Sequence, residues 1–474
     1  MEYFLSKAKP NLTFLSPAQI EEIHQNSLTL LAKTGIRVDS EKAQNIFLNA
    51  GCKKIDAARI SIPAEIVESA IPSAPPTIDV YNRRGDQAFS IGKGAQCRFG
   101  IGVTNLWYEE PESRKIIPFL REHVSKACRL GEKLTNYDLI STPGIIQDLP
   151  AEISEQYAAL EMVANTEKPL VLLVAGATDF RNVLELLQHL HGNLADLPFL
   201  LPYFNPVTPL VLNDETSDKI FTSIEFGLPI IYSNYGMAGA TTPITGAGTL
   251  VTLNAELLAG LVFTQLIKEG TPVILGSLPA LFEMKNMISA YTPQTMLLNL
   301  ACAEMMAFYR IPHAGTSGSG SGWGADLLAS GTLWMNHLTS ILGKTGLAPF
   351  VGGNFDSLVF SPETVVYADE IIRQVRLFEA GFDLDETNFA LEQIDLIGPG
   401  GNFLVSEATL NLFQKMNEQH SAIWPGHTLE NWQAGGTPQA ADILQKHTLD
   451  IIAEMKPPAD HDELIAKGED FIKQ

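Results

Sequence analysis

Between about residue 96 and residue 380, short apolar runs alternate regularly with stretches that have the apolar spacing of helices. Eight strands, each followed by a helix, are the number that a closed parallel barrel requires, whereas an open doubly wound sheet usually has fewer. The predicted fold class is therefore α/β, a TIM (β/α)8 barrel. The predicted strands are Cys97–Gly102, Asp138–Gly144, Leu170–Ala175, Leu200–Asn205, Pro229–Tyr235, Pro272–Ser277, Pro312–Ser317 and Ala348–Gly353.

The same pattern divides the chain into three parts. Residues 1–95 are predicted to form an N-terminal helical segment with a hairpin, and residues 96–380 form the barrel. Residues 381–474 show further helical spacing and are predicted to be a C-terminal helical extension packed on the barrel. The predicted barrel helices are Phe119–Leu134, Glu152–Asn165, Phe180–His191, Asp214–Phe226, Leu250–Lys268, Pro293–Tyr309, Ala325–Leu342 and Pro362–Ala380.

The N-terminal segment has its own local signals. Ser16 is a favourable N-cap residue and Pro17 follows at the first helical position, so a helix is predicted over residues 16–34. Polar and apolar residues alternate over residues 77–91 around the turn Arg84-Gly85-Asp86, which is typical of a hairpin. A helical cap and a small antiparallel sheet are thus expected ahead of the barrel.

Charge and cysteine usage exclude several classes of partner. The chain of 474 residues has a formal net charge of −22 at pH 7, so it repels phosphate backbones and no nucleic-acid partner is expected. The N-terminus lacks the apolar run of a signal peptide, and no apolar stretch reaches about 20 residues without interruption. We therefore expect a cytoplasmic protein without a membrane partner. The four cysteines form no CxxC pair, which argues against a disulfide framework or structural zinc.

The carboxyl ends of the predicted strands are where a TIM barrel places its active site. These ends are rich in glycine, small hydroxyls, amides and aromatic rings, and poor in acids and bases. Hydrolases, aldolases and isomerases need general acids, bases or a Schiff-base lysine, so this composition disfavours them. It favours an aromatic cavity that holds a cation, although each of these residues has about even odds of being a packing residue of the barrel.

Three other motifs have weaker interpretations. The glycine-rich segment Gly318–Gly324 resembles a phosphate loop, but it lacks the Lys-Ser/Thr pair, so a lid over the barrel mouth is the favoured interpretation. His189 and His191 end a predicted helix rather than a strand, so they are not expected to bind a metal, and no metal ligand is assigned anywhere. His313 begins the seventh strand and is interpreted as a satisfied buried histidine.

The stretch from Tyr232 onward contains an extended specific pattern. Gly239-Ala240-Thr241, Asn254-Ala255-Glu256 and Ala259-Gly260 stand at the spacing found in the middle of trimethylamine methyltransferases. Ile397–Leu404 and several N-terminal positions match as well. The sequence therefore resembles the trimethylamine methyltransferase family over nearly the whole chain.

This resemblance implies a TIM barrel that works with a separate corrinoid protein, carries no tightly bound cofactor itself and forms a homo-oligomer. Family members that use trimethylamine have pyrrolysine late in the seventh βα unit. Here Leu328-Ala329-Ser330-Gly331 occupies that position, without pyrrolysine, lysine or histidine. The resemblance is thus to the pyrrolysine-free branch, whose characterised members demethylate quaternary amines such as glycine betaine, proline betaine or carnitine. The implied activity moves a methyl group from a betaine-like quaternary amine to the Co(I) corrinoid of the partner.

The chemistry of a quaternary amine agrees with strand ends that are poor in acids. Its nitrogen already carries a full positive charge, so the amine leaves neutral without protonation, and the site needs positioning and dryness. No catalytic residue is assigned. The residues proposed for an ammonium cage are Phe204, Tyr235, Trp323 and Phe355. The residues proposed to bind a substrate carboxylate or hydroxyl are Asn205, Ser277, Thr316, Ser317 and Asn354.

Two other functions stay open on these residues. One is a metal-dependent barrel hydrolase or lyase, which bound zinc or iron would indicate. The other is a non-catalytic betaine-binding protein, which would bind the ligand but transfer nothing to a corrinoid partner.

Overall fold

The computed structural model describes residues 7–92, 94–196, 198–316, 322–343, 345–417 and 420–474. The strands in these ranges are β1 (Ile36–Val38), β2 (Lys53–Lys54), β3 (Arg59–Ser61), β4 (Thr77–Tyr81), β5 (Gln87–Gly92), β6 (Arg98–Ile101), β7 (Trp107–Glu109), β8 (Ile116–Pro118), β9 (Leu139–Ser141), β10 (Leu170–Leu172), β11 (Leu200–Phe204), β12 (Val211–Leu212), β13 (Ile230–Ala238), β14 (Val273–Glu283), β15 (Ile288–Ala290), β16 (His313–Ala314), β17 (Leu347–Val351), β18 (Gly353–Asn354) and β19 (Val359–Phe360). The helices are α1 (Pro17–Lys33), α2 (Glu41–Asn49), α3 (Ala64–Ser73), α4 (Arg121–Lys133), α5 (Ala151–Asn165), α6 (Ala177–His191), α7 (Asp214–Glu225), α8 (Gly246–Ile267), α9 (Pro293–Tyr309), α10 (Leu327–Leu342), α11 (Pro362–Ala380), α12 (Glu386–Phe389), α13 (Leu391–Ile397), α14 (Glu407–Asn417), α15 (Leu429–Ala434), α16 (Ala440–Glu454) and α17 (His461–Ile472).

Eight parallel strands close into a barrel in the order β6, β9, β10, β11, β13, β14, β16, β17. The ring closes where β17 pairs in parallel with β6. Elsewhere in the ring, β13 and β14 also pair in parallel, beginning with Ile230 beside Val273. These are the eight strands predicted from the sequence, and α4 to α11 follow them one by one. The predicted TIM barrel is therefore confirmed.

The hairpin of β4 and β5 plugs the amino-terminal end of this barrel. Val80 and Ile91 belong to the same apolar cluster as the inward-facing barrel residues Val171 and Ile274. The backbone N–H of Tyr81 donates to the carbonyl of Pro198, just before β11, which places the hairpin at that end. Because the bottom is filled with side chains, only the carboxyl end of the barrel can open to a ligand.

Helix α8 shows why one segment of the chain is apolar all round. It is long and apolar enough to cross a membrane, but 83% of its most apolar 18-residue stretch is buried inside the protein. It packs against α1, α3, α9 and the strands β13 and β14. At Gly260 an added Cβ would lie 2.1 Å from Cε1 of Tyr232, so glycine permits this close approach of helix and strand.

The ends of the chain support the barrel from outside. The Ser16 hydroxyl accepts from the backbone N–H of Gln19, which confirms the predicted start of α1. A small sheet of β1, β2, β3 and β12, which the sequence pattern did not predict, links the N-terminal segment to the connection after β11. At the other end, the buried Arg83 guanidinium binds both carboxylate oxygens of Asp460 at 2.7 Å and so anchors the start of α17.

Candidate active site

A cavity of about 190 Å3 lies at the carboxyl end of the barrel. Strands and loops from most of the circumference contribute to its wall, so it is assembled only when the barrel closes. Its lining is aromatic and aliphatic, with two hydroxyl side chains and one carboxylate. The lining residues are Val103, Tyr235, Leu278, Tyr291, Thr316, Phe350, Asp356 and Ser357.

Three aromatic rings form much of this wall. Tyr235 lies on β13, Tyr291 follows β15, and Phe350 lies on β17, where its ring packs edge-on against Tyr203 with centroids 4.9 Å apart. Burial raises the pKa of both lining tyrosines, and the neighbouring charge of Asp356 raises that of Tyr291 further. Both phenols are therefore neutral at physiological pH, and the cavity presents neutral rings rather than phenolate charges.

Asp356 is the only carboxylate among the described lining residues. The Ser289 hydroxyl on β15 donates to its Oδ2, which connects the hairpin after β14 to the loop after β17. Burial raises the pKa of Asp356 above its ordinary value, and the hydrogen bonds from Ser289 offset only part of that rise. Among the described lining residues of this cavity, the predicted scarcity of acids therefore has one exception, the half-buried Asp356.

An unusual turn presents Asp356 to the cavity. Phe355, Asp356 and Ser357 have φ values of 50°, 57° and 63°, so three consecutive residues with side chains adopt the left-handed region. Such a conformation is uncommon for residues other than glycine and costs free energy at each position. Backbone strain of this kind concentrates at ligand-binding sites, where the surrounding structure maintains it.

Two of the sequence-predicted binding residues line the cavity, and two others lie outside its wall and are exposed. Tyr235 and Thr316 are in the wall, and the Asn299 side chain fixes the backbone of Thr316 with hydrogen bonds of 3.1 and 3.2 Å. Asn205 lies at the exposed rim, where its Nδ2 donates to the carbonyl of Ser233 at 2.9 Å. Phe355 directly precedes Asp356 in the left-handed turn and is partly exposed. Ser317 lies outside the described residues.

Three more of the predicted residues point away from the mouth. The Phe204 ring packs edge-on against Phe180 of α6, with centroids 5.2 Å apart. The Ser277 hydroxyl donates to Oδ1 of Asn234 at 2.8 Å, and Nδ2 of Asn354 donates to Thr364 at 2.9 Å. The physical reason is the alternation of side chains along a strand, which turns every second residue toward the surrounding helices.

Trp323 lines a different cavity, of about 480 Å3, between residues 323–326, α10, α11 and α16. Its side chain is 69% exposed. Glu109, Asp326, Glu363 and Arg114 share this second cavity, and Arg114 forms an ion pair with Glu363 at 3.2 Å. The four predicted cage residues thus do not come together around one space.

The sequence interpretation missed Tyr291 and Asp356. Asp356 stands one position beyond the last residue that was considered at the end of the eighth strand. Tyr291 follows a hairpin that extends the sixth strand beyond the barrel, and no periodicity in the sequence shows that this hairpin folds back over the mouth. Only the run Asn354-Phe355-Asp356-Ser357, rich in turn formers, was a usable signal.

No group of three or more His, Cys, Asp or Glu in the described ranges is arranged to hold a metal ion. His313 is buried, as predicted, and burial lowers its pKa to about 3, so the ring is neutral. The expectation that its nitrogens are satisfied is wrong, since neither has a hydrogen-bond partner within the described part of the chain.

Comparison with known proteins assigns the chain to a family. The sequence model of trimethylamine methyltransferases (MTTB) matches residues 2–474. The chain belongs to this family. The trimethylamine methyltransferase of Desulfitobacterium hafniense strain DCB-2 is 26% identical over 94% of this chain and 90% of its own length. The glycine betaine methyltransferase of strain Y51 is 27% identical over 98% of this chain and 97% of its own length.

Among solved structures, the monomethylamine methyltransferase MtmB of Methanosarcina barkeri superimposes with a TM-score of 0.51. The alignment covers 93% of each chain at 12% identity, so it shows a shared fold. The resemblance to the trimethylamine methyltransferase family that the sequence indicated is confirmed.

The family motif around α8 supports the barrel wall rather than lining the cavity. Glu256 accepts hydrogen bonds from Thr208 at 2.9 Å, from Asn234 at 3.0 Å and from the backbone N–H of Leu210. Burial raises the pKa of this carboxyl to about 7. In this trimethylamine methyltransferase family member, the motif therefore holds the loop after β11 at the rim of the mouth.

Proposed function

We propose that this protein transfers a methyl group from a quaternary amine to the Co(I) corrinoid of a partner protein. The observation that carries the proposal is the mouth cavity, whose wall combines the rings of Tyr235, Tyr291 and Phe350 with the carboxylate of Asp356. Aromatic faces and a carboxylate attract a cation that has no N–H to donate. The relative named glycine betaine methyltransferase acts on a substrate of this class.

The cavity residues bind and orient the cation rather than exchange protons with it. When the carbon–nitrogen bond breaks, its electron pair stays with nitrogen, so the product amine leaves neutral and needs no acid. The partner's corrinoid supplies the electron pair for the new bond to carbon. Val103, Leu278 and the rings exclude water, which strengthens the attraction between cation and site.

The rim of the mouth fits a partner that brings its cofactor to the substrate. Segments that follow four of the barrel strands expose large apolar side chains at the carboxyl end of the barrel. An exposed apolar patch of this kind is typical of a protein-interaction site. The rim residues are Leu106, Ile145, Val207, Phe355 and Leu358.

Spectroscopic assay of the reconstituted system tests the proposal. Purified protein, a Co(I) corrinoid protein and a panel of N-methyl quaternary amines are combined, and methylation is followed in the corrinoid absorbance. We expect at least one amine to support transfer, and Tyr235→Ala to reduce the rate at least tenfold. Phe378→Ala, which truncates an exposed ring on α11, serves as the matched control and keeps the wild-type rate. If no amine in a broad panel is demethylated while a characterised enzyme works in the same assay, the proposal is refuted.

A further inference from the structure

The charge of the mouth cavity bears on which quaternary amine it accepts. Among the eight described lining residues, Asp356 is negative and none is positive. The adjoining residues 317–321, which lie outside the described ranges, have the sequence Ser-Gly-Ser-Gly-Ser and so add no charge wherever they lie. The described wall therefore offers an ammonium group one opposite charge and offers a carboxylate none.

We infer that the preferred substrate is a quaternary ammonium monocation without a carboxylate, of the choline or tetramethylammonium type, rather than a betaine. This inference rests on the proposed function and narrows its substrate class. The carboxylate of a betaine would have to give up water in a cavity where its nearest charged neighbour is Asp356. Removing a carboxylate from water is costly when no opposite charge replaces the water, and the hydroxyls of the described wall are neutral groups that leave the repulsion from Asp356 uncompensated.

The polar groups of the wall agree with a hydroxyl-bearing cation. Thr316, Ser357 and the phenols of Tyr235 and Tyr291 are neutral groups that donate and accept, which suits an alcohol. The carboxylate of Asp356 is held in place by the Ser289 hydroxyl and by the left-handed turn at residues 355–357. The negative charge is therefore a fixed part of the wall and not a side chain that can swing away to admit a second carboxylate.

Calorimetric titration measures this preference without the corrinoid partner. The wild-type protein is titrated with tetramethylammonium, choline and glycine betaine under one set of conditions. We expect the two monocations to bind at least tenfold more tightly than glycine betaine. Asp356→Asn should weaken both monocations at least tenfold and reduce the difference from glycine betaine. Asp450→Asn, at an exposed carboxylate on α16, should leave all three affinities unchanged.

A second measurement needs no variant, so it stays informative if Asp356→Asn does not fold. The neutral alcohol 3,3-dimethyl-1-butanol has the shape of choline with carbon in place of nitrogen. We expect it to bind the wild-type protein at least tenfold more weakly than choline, because it lacks the charge that the rings and Asp356 attract.

The outcomes separate this inference from the proposed function. Tighter binding of glycine betaine than of either monocation overturns the inference and leaves the quaternary-amine function standing. Equal affinity for choline and its neutral analogue, or an unchanged preference in a folded Asp356→Asn protein, also overturns it. Failure of every quaternary amine to bind counts against the proposed function itself.

Discussion

Glu256 links the stability of the barrel wall to pH in a way that can be calculated. Glu256 is 2% exposed, and burial raises the pKa of its carboxyl from an ordinary value of 4.5 to about 7. Between these two pH values the folded protein binds more protons than the unfolded chain does. The free energy of unfolding therefore falls as the pH rises from about 4.5 to about 7, and this contribution stays lost above that window.

Replacing Glu256 by glutamine removes this titration. Integration between the two pKa values shows that the free energy of unfolding of the wild type falls by about 2 kcal/mol between pH 5.5 and pH 8. The variant has no carboxyl at this position, so this fall is absent from it. The substitution also changes the hydrogen bonds to Thr208, Asn234 and Leu210, but that cost is the same at both pH values. From pH 5.5 to pH 8 the free energy of unfolding of the variant should therefore rise by about 2 kcal/mol relative to that of the wild type. In a chain of this length that corresponds to about 2 °C in Tm.

Scanning calorimetry of Glu256→Gln and the wild type at pH 5.5 and pH 8 measures this gain as a change in the difference between their Tm values. Glu65→Gln, at an exposed carboxyl on α3, is the control and should show the same Tm difference at both pH values. If the difference between Glu256→Gln and the wild type is also the same at pH 5.5 and pH 8, Glu256 does not titrate in this window and the reasoning is wrong.

Three further predictions concern the cavity, the packing and the thiols. Tyr291→Ala should weaken binding of tetramethylammonium about tenfold in calorimetry, since a ring face contributes about 1–2 kcal/mol; unchanged affinity would remove Tyr291 from the site. Gly260→Ala should lower the free energy of unfolding, measured in urea, by about 1–3 kcal/mol, because the added methyl group clashes with Tyr232. Gly331→Ala is the control and should cause no such loss, since nothing lies within 4 Å of the added methyl group. Equal losses in the two variants would contradict the close approach of α8 to β13. All four cysteines are buried, and burial raises the pKa of each thiol, that of Cys302 to about 12. A disulfide reagent at pH 8 should therefore label them only after unfolding. Rapid labelling of the native protein would show that the thiols are accessible.

The barrel was predictable because each of its parts leaves a local trace in the sequence. A strand that is buried on both faces needs a short apolar run, and a helix that covers it needs an apolar stripe with its own period. Ser16 marks the start of α1 by the same local logic, since an N-cap acts on backbone groups three residues away. The strand β12 left no such trace, because two residues that pair with β1 at long range have no periodicity.

The candidate site was predictable only in part, for a related reason. Tyr235 and Thr316 could be chosen because they stand at or near the ends of predicted strands, and the structure places both in the cavity wall. Phe204 and Ser277 also stand at or near the ends of predicted strands, but side chains on a strand alternate between its two faces, and the sequence pattern does not show which face these two residues occupy. Trp323 follows the seventh strand in a glycine-rich loop, whose course cannot be predicted from composition.

The sequence by itself determined that this chain forms an eight-stranded barrel and that it belongs to the trimethylamine methyltransferase family. Only the tertiary structure decided that Tyr291, which follows the β14–β15 hairpin, lines the same cavity as Phe350, and that a left-handed turn places Asp356 in that wall. Periodicity records which face of an element is buried, because burial acts on every residue of that element. The meeting of two loops from distant parts of the chain depends on a few contacts across space, and such contacts leave no repeated pattern in the sequence.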